Sequence, residues 1–193
     1  MAWSNRDFDP QVLSAALLSA AQQVLSKASA MAQSQDPKVE ATDIVNYEGR
    51  MRALGLEKLN STCYVSVVNF YLNQGEMERR GKPKGAFVLY METENAGKFF
   101  KALEIKFSDD EDDATMISAC GQFTKIITDG LINELSSRGY ATLVPSAPRN
   151  YKNSVLEGVE YSSDQKTKHE IGFFYFKRKT IAVELTLAPI PKK

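Results

Sequence analysis

The sequence predicts an α+β fold, an antiparallel sheet with a long N-terminal helix and a long central helix packed on it. Three observations carry that reading. Residues 61–72 (STCYVSVVNFYL) and 86–93 (AFVLYMET) are rich in β-branched and aromatic residues, which suit a half-buried pleated surface. Apolar residues recur at helical spacing near the N-terminus and again over roughly 113–138. The strand-like segments then fall in groups separated by helices, an order that favours antiparallel pairing over repeated βαβ units.

The elements follow in order. Residues 1–9 form a ragged terminus, and Asp9-Pro10 supplies a capping residue followed by proline at the first helical position. A helix to about Gln33 is expected, with Val12, Leu13, Ala16, Leu17, Ala20, Val24 and Leu25 on its apolar face. Residues 34–60 form a connecting segment in which polar linker and weak helical or extended pieces alternate without a clear period. The two strands at 61–72 and 86–93 form a hairpin around NQGEMERRGKPKG. Glu94 to Leu103 reads as a short helix that buries Ala96, Phe99, Phe100 and Leu103.

The acidic run SDDEDD (108–113) stands where it meets the positive end of the next helix dipole, so capping accounts for it; the glycine and terminal glutamate of an EF-hand are absent. That helix spans roughly 113–138 and stops at Arg138-Gly139, a cation and a glycine cap. Strands are expected at 141–146 and 154–161. A closing pair at 171–176 and 180–187 turns through Lys177-Arg178-Lys179.

Composition narrows the functions. The 193 residues, 43% hydrophobic, suit one domain over 1–193 with its own core. Lys plus Arg (24) balance Asp plus Glu (24), so no net field draws the chain to nucleic acid or to an anionic membrane. Cys63 and Cys120 sit in apolar runs without metal or redox spacing, which fits buried thiols in a reducing, cytoplasmic setting. The apolar run Val12–Ala21 with small residues at 28–32 imitates a signal peptide, but Asp7 and Asp9 occupy the place of its basic region. No run is long enough to span a membrane.

Several conspicuous residues have structural explanations. His169 is the sole histidine, and no residues at triad or zinc spacing accompany it. The basic stretch Arg79 to Lys84 reads as the solvated tip of the hairpin. Gly75, Gly81 and Gly85 lack the strand–loop–helix context of a phosphate loop. Trp3 and the aromatic run 173–176 read as packing residues.

The central helix carries the sequence's most informative pattern. Ser118, Gln122, Lys125 and Asp129 recur at i, i+4, i+7 and i+11, which lines them up as a polar stripe opposite Ile117, Cys120, Thr124, Ile127 and Leu131. Ser118, Gln122, Lys125 and, twenty-two residues further on, Pro148 stand at the spacing of a known motif. Together with Gly121, the 85–90 strand before a short helix, the acidic loop and the C-terminal hairpin ending in 183–187, the chain resembles the CheX/CheC/FliY group of chemotaxis phosphatases. It is most similar to the single-motif CheX form. The resemblance covers the first helix and most of the chain after about residue 61.

That resemblance implies a CheX-like fold, a homodimer, no cofactor or metal, and a response-regulator receiver domain as partner. The family motif carries Asp or Ser at the position of Ser118, Glu at Gln122 and Asn at Lys125. In the family, as the resemblance implies, the Asn amide orients water in line with an aspartyl phosphate and the Glu pairs with a receiver lysine. Here the register is kept and both working residues are replaced. An ammonium donates hydrogen bonds and accepts none, so Lys125 does not orient water as an amide does. Lost positioning costs on the order of a hundredfold in rate, and Gln122 lacks the charge that strengthens a contact to lysine.

The expected function is therefore a non-catalytic CheX-like signalling protein that binds its partner through the exposed face of 113–138, with Ser118, Gln122, Lys125, Asp129 and Pro148 as the partner-binding set. Two alternatives stand beside it. Glu57 and Asn60, with Pro83 twenty-two residues later, match the bare Glu-x-x-Asn-Pro spacing and would supply a displaced phosphatase motif. Ala53 stands four residues ahead of Glu57, however, and a strand rather than further helix follows Asn60, so chance is preferred. The other alternative is an interaction protein with no receiver partner, the stripe being a solvated helix face.

Overall fold

The computed structural model describes residues 9–28, 31–108, 112–152 and 155–193. Helix α1 (Pro10–Leu25) is capped as its sequence predicts, the Asp9 carboxylate accepting from the Gln11 N–H at 2.8 Å. It ends at Leu25, not Gln33. The Ser26 N–H closes the last turn on the Gln22 carbonyl, and Gln33–Gln35 (β1) is drawn instead to the exposed edge of the sheet. Tertiary pairing overrides a weak helical tendency there.

The connecting segment resolves into β2 (Val39–Asp43), β3 (Asn46–Tyr47), β4 (Arg50–Leu54) and the short helix α2 (Gly55–Leu59). Strands β5 (Cys63–Tyr71) and β6 (Gly85–Glu92) form the expected hairpin, with a short helix α3 (Gln74–Glu78) in its connection. Helices α4 (Thr93–Ala102) and α5 (Asp113–Ser137) follow as predicted.

The remaining strands correct the sequence reading. The expected strand over 141–146 shrinks to β7 (Val144–Pro145), and β8 (Arg149–Lys152) appears where none was predicted. Both pair with β5. The segment around 154–161 yields β9 (Val155–Val159), which pairs with β4 in a second sheet. The closing hairpin is β10 (Thr167–Tyr175) and β11 (Arg178–Leu187). Its turn lies at Phe176-Lys177, both with positive φ, not at 177–179.

The main sheet runs β1-β10-β11-β6-β5-β7, with β2 also on β10 and β8 also on β5, and every pairing is antiparallel. One face packs under α1, α4 and α5, around Leu17, Phe87, Phe99, Phe123, Ile127 and Phe173. The other face, unforeseen in the sequence, packs under α2 and the small sheet β3-β4-β9, around Met51, Ala53, Val65, Val88 and Tyr90. Covering on both sides explains why every residue of β5 and β6 is buried and why their sequences run apolar without alternation.

Candidate functional site

Helix α5 is fixed at both ends by its own sequence. The Asp112 carboxylate accepts from the Ala114 and Thr115 N–H groups at 3.3 and 3.0 Å. At the other end Gly139, at φ +85°, lets the Tyr140 N–H reach back to the Leu135 carbonyl at 3.1 Å while its own N–H reaches Ser136 at 3.0 Å. Between these caps Met116, Ala119, Cys120, Phe123, Thr124, Ile127 and Leu131 are buried against the sheet and α1.

The opposite face carries the stripe. Ser118, Gln122 and Lys125 are exposed, and Asp129 is partly exposed. The Lys125 ammonium sits 2.6 Å from Asp129, with the two side chains 64% and 46% exposed. An exposed i,i+4 pair of this kind contributes about 0.3–0.5 kcal/mol, so a competing anion can take the lysine at little cost. Ile126, 41% exposed, adds an apolar group beside Lys125 that the sequence reading passed over. The signal was present: Ile126 falls outside the register of Phe123, Ile127 and Leu131.

A second element supports this face. Strand β8 packs along α5, and a Cβ at Gly121 would lie 2.4 Å from the Asn150 Nδ2. Glycine at position 121 is thus what admits the Asn150 side chain, whose Oδ1 accepts from the Ser66 hydroxyl at 2.6 Å. Lys152 pairs with Asp113 at 2.6 Å, and the Tyr64 hydroxyl donates to the same carboxylate at 3.3 Å, which ties β8 and β5 to the start of α5. Burial, then Asp113, push the Tyr64 hydroxyl up to about 12. Pro148 is partly buried and immediately precedes β8, so the motif's last position leads into the strand that braces the helix just before Gln122. Beside the stripe, Lys106, Phe107 and Ser108 line an open groove with Thr115, Ser118 and Gln122.

The displaced motif has a different setting. Glu57 is exposed on α2, and the helix stops before Asn60. Asn60 adopts the left-handed conformation (φ 51°, ψ 36°) and its N–H closes the helix on Leu56 at 2.8 Å, a role asparagine fills more readily than most residues.

Sequence reasoning missed a cluster of charges beneath α2. Glu184 on β11 is fully buried, with Lys168 Nζ at 2.5 Å, Lys58 Nζ at 2.8 Å and the Tyr90 hydroxyl donating at 2.8 Å. Lys58 also pairs with Glu170. Burial alone would push the Glu184 carboxyl up, but Lys168 and Lys58 outweigh it and hold the group below the ordinary carboxylate range. Burial and Glu184 together push the Tyr90 hydroxyl well above its usual value. The network fastens α2 to the sheet through Lys58.

The remaining candidates are structural. His169 accepts or donates at Nδ1 to the Ser14 hydroxyl at 2.8 Å, linking β10 to α1, and partial burial lowers its pKa. Cys63 and Cys120 are buried and form no disulfide, and burial raises both thiols, Cys63 to about 11. Among the described residues no group of three or more His, Cys, Asp or Glu side chains could hold a metal ion, and no helix is long and apolar enough to cross a membrane.

No protein-family model and no curated protein matches the chain. Solved structures do. CheX from Desulfovibrio desulfuricans aligns over 91% of this chain and 98% of its own, at TM-score 0.58 and 16% identity. A CheC-like superfamily protein from Shewanella sp. PV-4 aligns over 92% and 97%, at 0.55 and 15%. CheX from Borrelia burgdorferi, in a complex with CheY, BeF3 and Mg2+, aligns over 93% and 97%, at 0.52 and 13%. The chain therefore has the α+β fold of the CheX/CheC-type chemotaxis proteins.

Proposed function

We propose that this chain is a non-catalytic, CheX-like signalling protein that docks a response-regulator receiver domain on the exposed face of α5. The observation that carries the reading is the pair Gln122 and Lys125, held in the open at the two positions where the resemblance expects Glu and Asn. The rest of the frame supports it: Ser118 one turn earlier, Pro148 immediately ahead of β8, and β8 braced on α5 at Gly121. A rigid helix face with an exposed isoleucine, an amide and a weakly engaged ammonium suits docking of an anionic partner. It lacks a carboxylate at position 122 and an amide at position 125, where the resemblance places the groups that pair a lysine and orient water for hydrolysis.

Titration calorimetry of the protein against a CheY-type receiver, with and without BeF3 and Mg2+, tests the reading. Binding favoured by BeF3 and lost in Lys125→Glu is expected. Absence of binding in both states, or binding indifferent to Lys125→Glu, refutes it. The same proposal includes a homodimer, which sedimentation velocity would register as a species of twice the chain mass.

A further inference from the structure

We propose that a cavity between the start of α1 and the open end of the β10–β11 hairpin binds a small cyclic molecule with one O–H or N–H donor on an apolar body, and that His169 Nε2 is its acceptor. The cavity shares no residue with the α5 stripe, so the proposal stands independently of the docking reading.

The walls set the scale and the chemistry. Pro10, Leu13, Leu187 and Pro189 make the apolar part of a cavity of about 170 Å³, with Leu13 and Leu187 each only 2% exposed. An apolar cavity of about 150 Å³ is enough to admit benzene, so a single substituted ring is the matching size. The polar lining is His169, with Gln165 and Thr167 beside it. Mostly apolar walls around a few polar groups are the ordinary make-up of a small-molecule site.

Which hydrogen-bonding character the imidazole offers follows from Ser14. Its hydroxyl donates to the Pro10 carbonyl at 3.2 Å, one turn back along α1. A hydroxyl has one proton, so in the 2.8 Å contact between Ser14 Oγ and His169 Nδ1 the ring N–H donates and the serine oxygen accepts. Burial lowers the pKa of the ring and keeps it neutral at neutral pH. In a neutral ring protonated at Nδ1, Nε2 accepts and does not donate. Among the described residues Ser14 is the ring's one hydrogen-bond partner. The Ser14 contact is thus structural, and it leaves an acceptor nitrogen on a ring that lines an apolar cavity. A ligand with a donor satisfies that nitrogen, and one that offers only acceptors does not.

The sequence makes the test clean. His169 is the only histidine, so its imidazole gives a single set of signals in long-range proton–nitrogen NMR spectra of the full chain. Phenol serves as the probe and toluene, of nearly the same shape without a donor, as the control, both at millimolar concentration and mildly alkaline pH. The expected spectrum of the free protein has the proton on Nδ1. Phenol should move the Nε2 resonance saturably toward its protonated position, and toluene should not. In His169→Phe, which keeps a ring and removes the acceptor, the affinity for phenol relative to toluene should fall several-fold. A proton on Nε2 in the free protein, an Nε2 resonance that phenol leaves in place or that toluene moves equally, or an unchanged phenol-to-toluene ratio in His169→Phe overturns the proposal.

Discussion

Replacing Gly121 with alanine should destabilise the protein through one identifiable contact. The new methyl group would stand 2.4 Å from the Asn150 Nδ2 and 3.0 Å from its Cγ and Oδ1. Asn150 cannot swing aside freely, because its Oδ1 accepts from Ser66, a residue with no exposed surface. Overpacking costs about 1–3 kcal/mol, and loss of the Ser66 hydrogen bond about 1 kcal/mol more. Alanine offsets about 1 kcal/mol of this through its better helix propensity. The net loss is about 1–3 kcal/mol, which for a chain of this size lowers Tm by roughly 3–10 °C.

The decisive comparison places the same substitution in an Asn150→Ala background. With the amide gone the three atoms nearest the new methyl are removed, and Gly121→Ala should become neutral or stabilise by about 0.5–1 kcal/mol. Denaturant melts of the four proteins give a coupling energy, expected at about 2–4 kcal/mol. Equal effects of Gly121→Ala in both backgrounds would refute the claim that this glycine exists to admit β8.

Further outcomes follow from the buried and exposed charges. Glu184→Gln leaves Lys168 buried without its anion and should cost about 3–5 kcal/mol in urea unfolding. Because the Glu184 carboxyl is held below its ordinary value in the folded state, the stability it contributes is present above the unfolded value and disappears as pH falls through the lowered folded one. The variant should therefore show a flatter loss of stability below about pH 4.5. For His169 the sign is similar and the window different: the unfolded chain takes up the proton first, so acidification below about pH 6.5 destabilises the fold. His169→Gln should remove that part of the stability profile. The double substitution Gln122→Glu and Lys125→Asn restores the residues the resemblance expects, and on the proposed reading should raise phosphate release from a phosphorylated receiver well above that seen with the unsubstituted protein.

The parts of the fold legible in the sequence are those in which local and tertiary signals agree. Helix α5 announced itself through Asp112, its apolar register and Arg138-Gly139, and β5 and β6 through density of β-branched and aromatic residues. Helix α1 was overrun because nothing after Leu25 forbids helix; what ends it is the pairing of Gln33 and Gln35 with the β10 edge. Strand β8, RNYK, has no strand-like alternation and is held by β5 and by its seat on α5. The second layer escaped notice because β3 is short, exposed and polar, and because Lys168, Glu170 and Glu184 look solvent-facing until residues far apart in the chain neutralise one another. At the candidate site the exposure of Ser118, Gln122 and Lys125 was readable from helical spacing alone. The exposure of Ile126 was readable in the same way and was passed over, whereas the Gly121–Asn150 contact required the assembled structure.

Amide chemical-shift mapping of the labelled protein against a BeF3-charged receiver addresses the docking face most directly. Perturbations concentrated at Ser118, Gln122, Lys125, Ile126 and Asp129, with a smaller set near Pro148, are the predicted result. A footprint centred on Glu57 and Asn60, or no footprint at saturating receiver, would contradict the assignment of α5 as the surface that meets the partner.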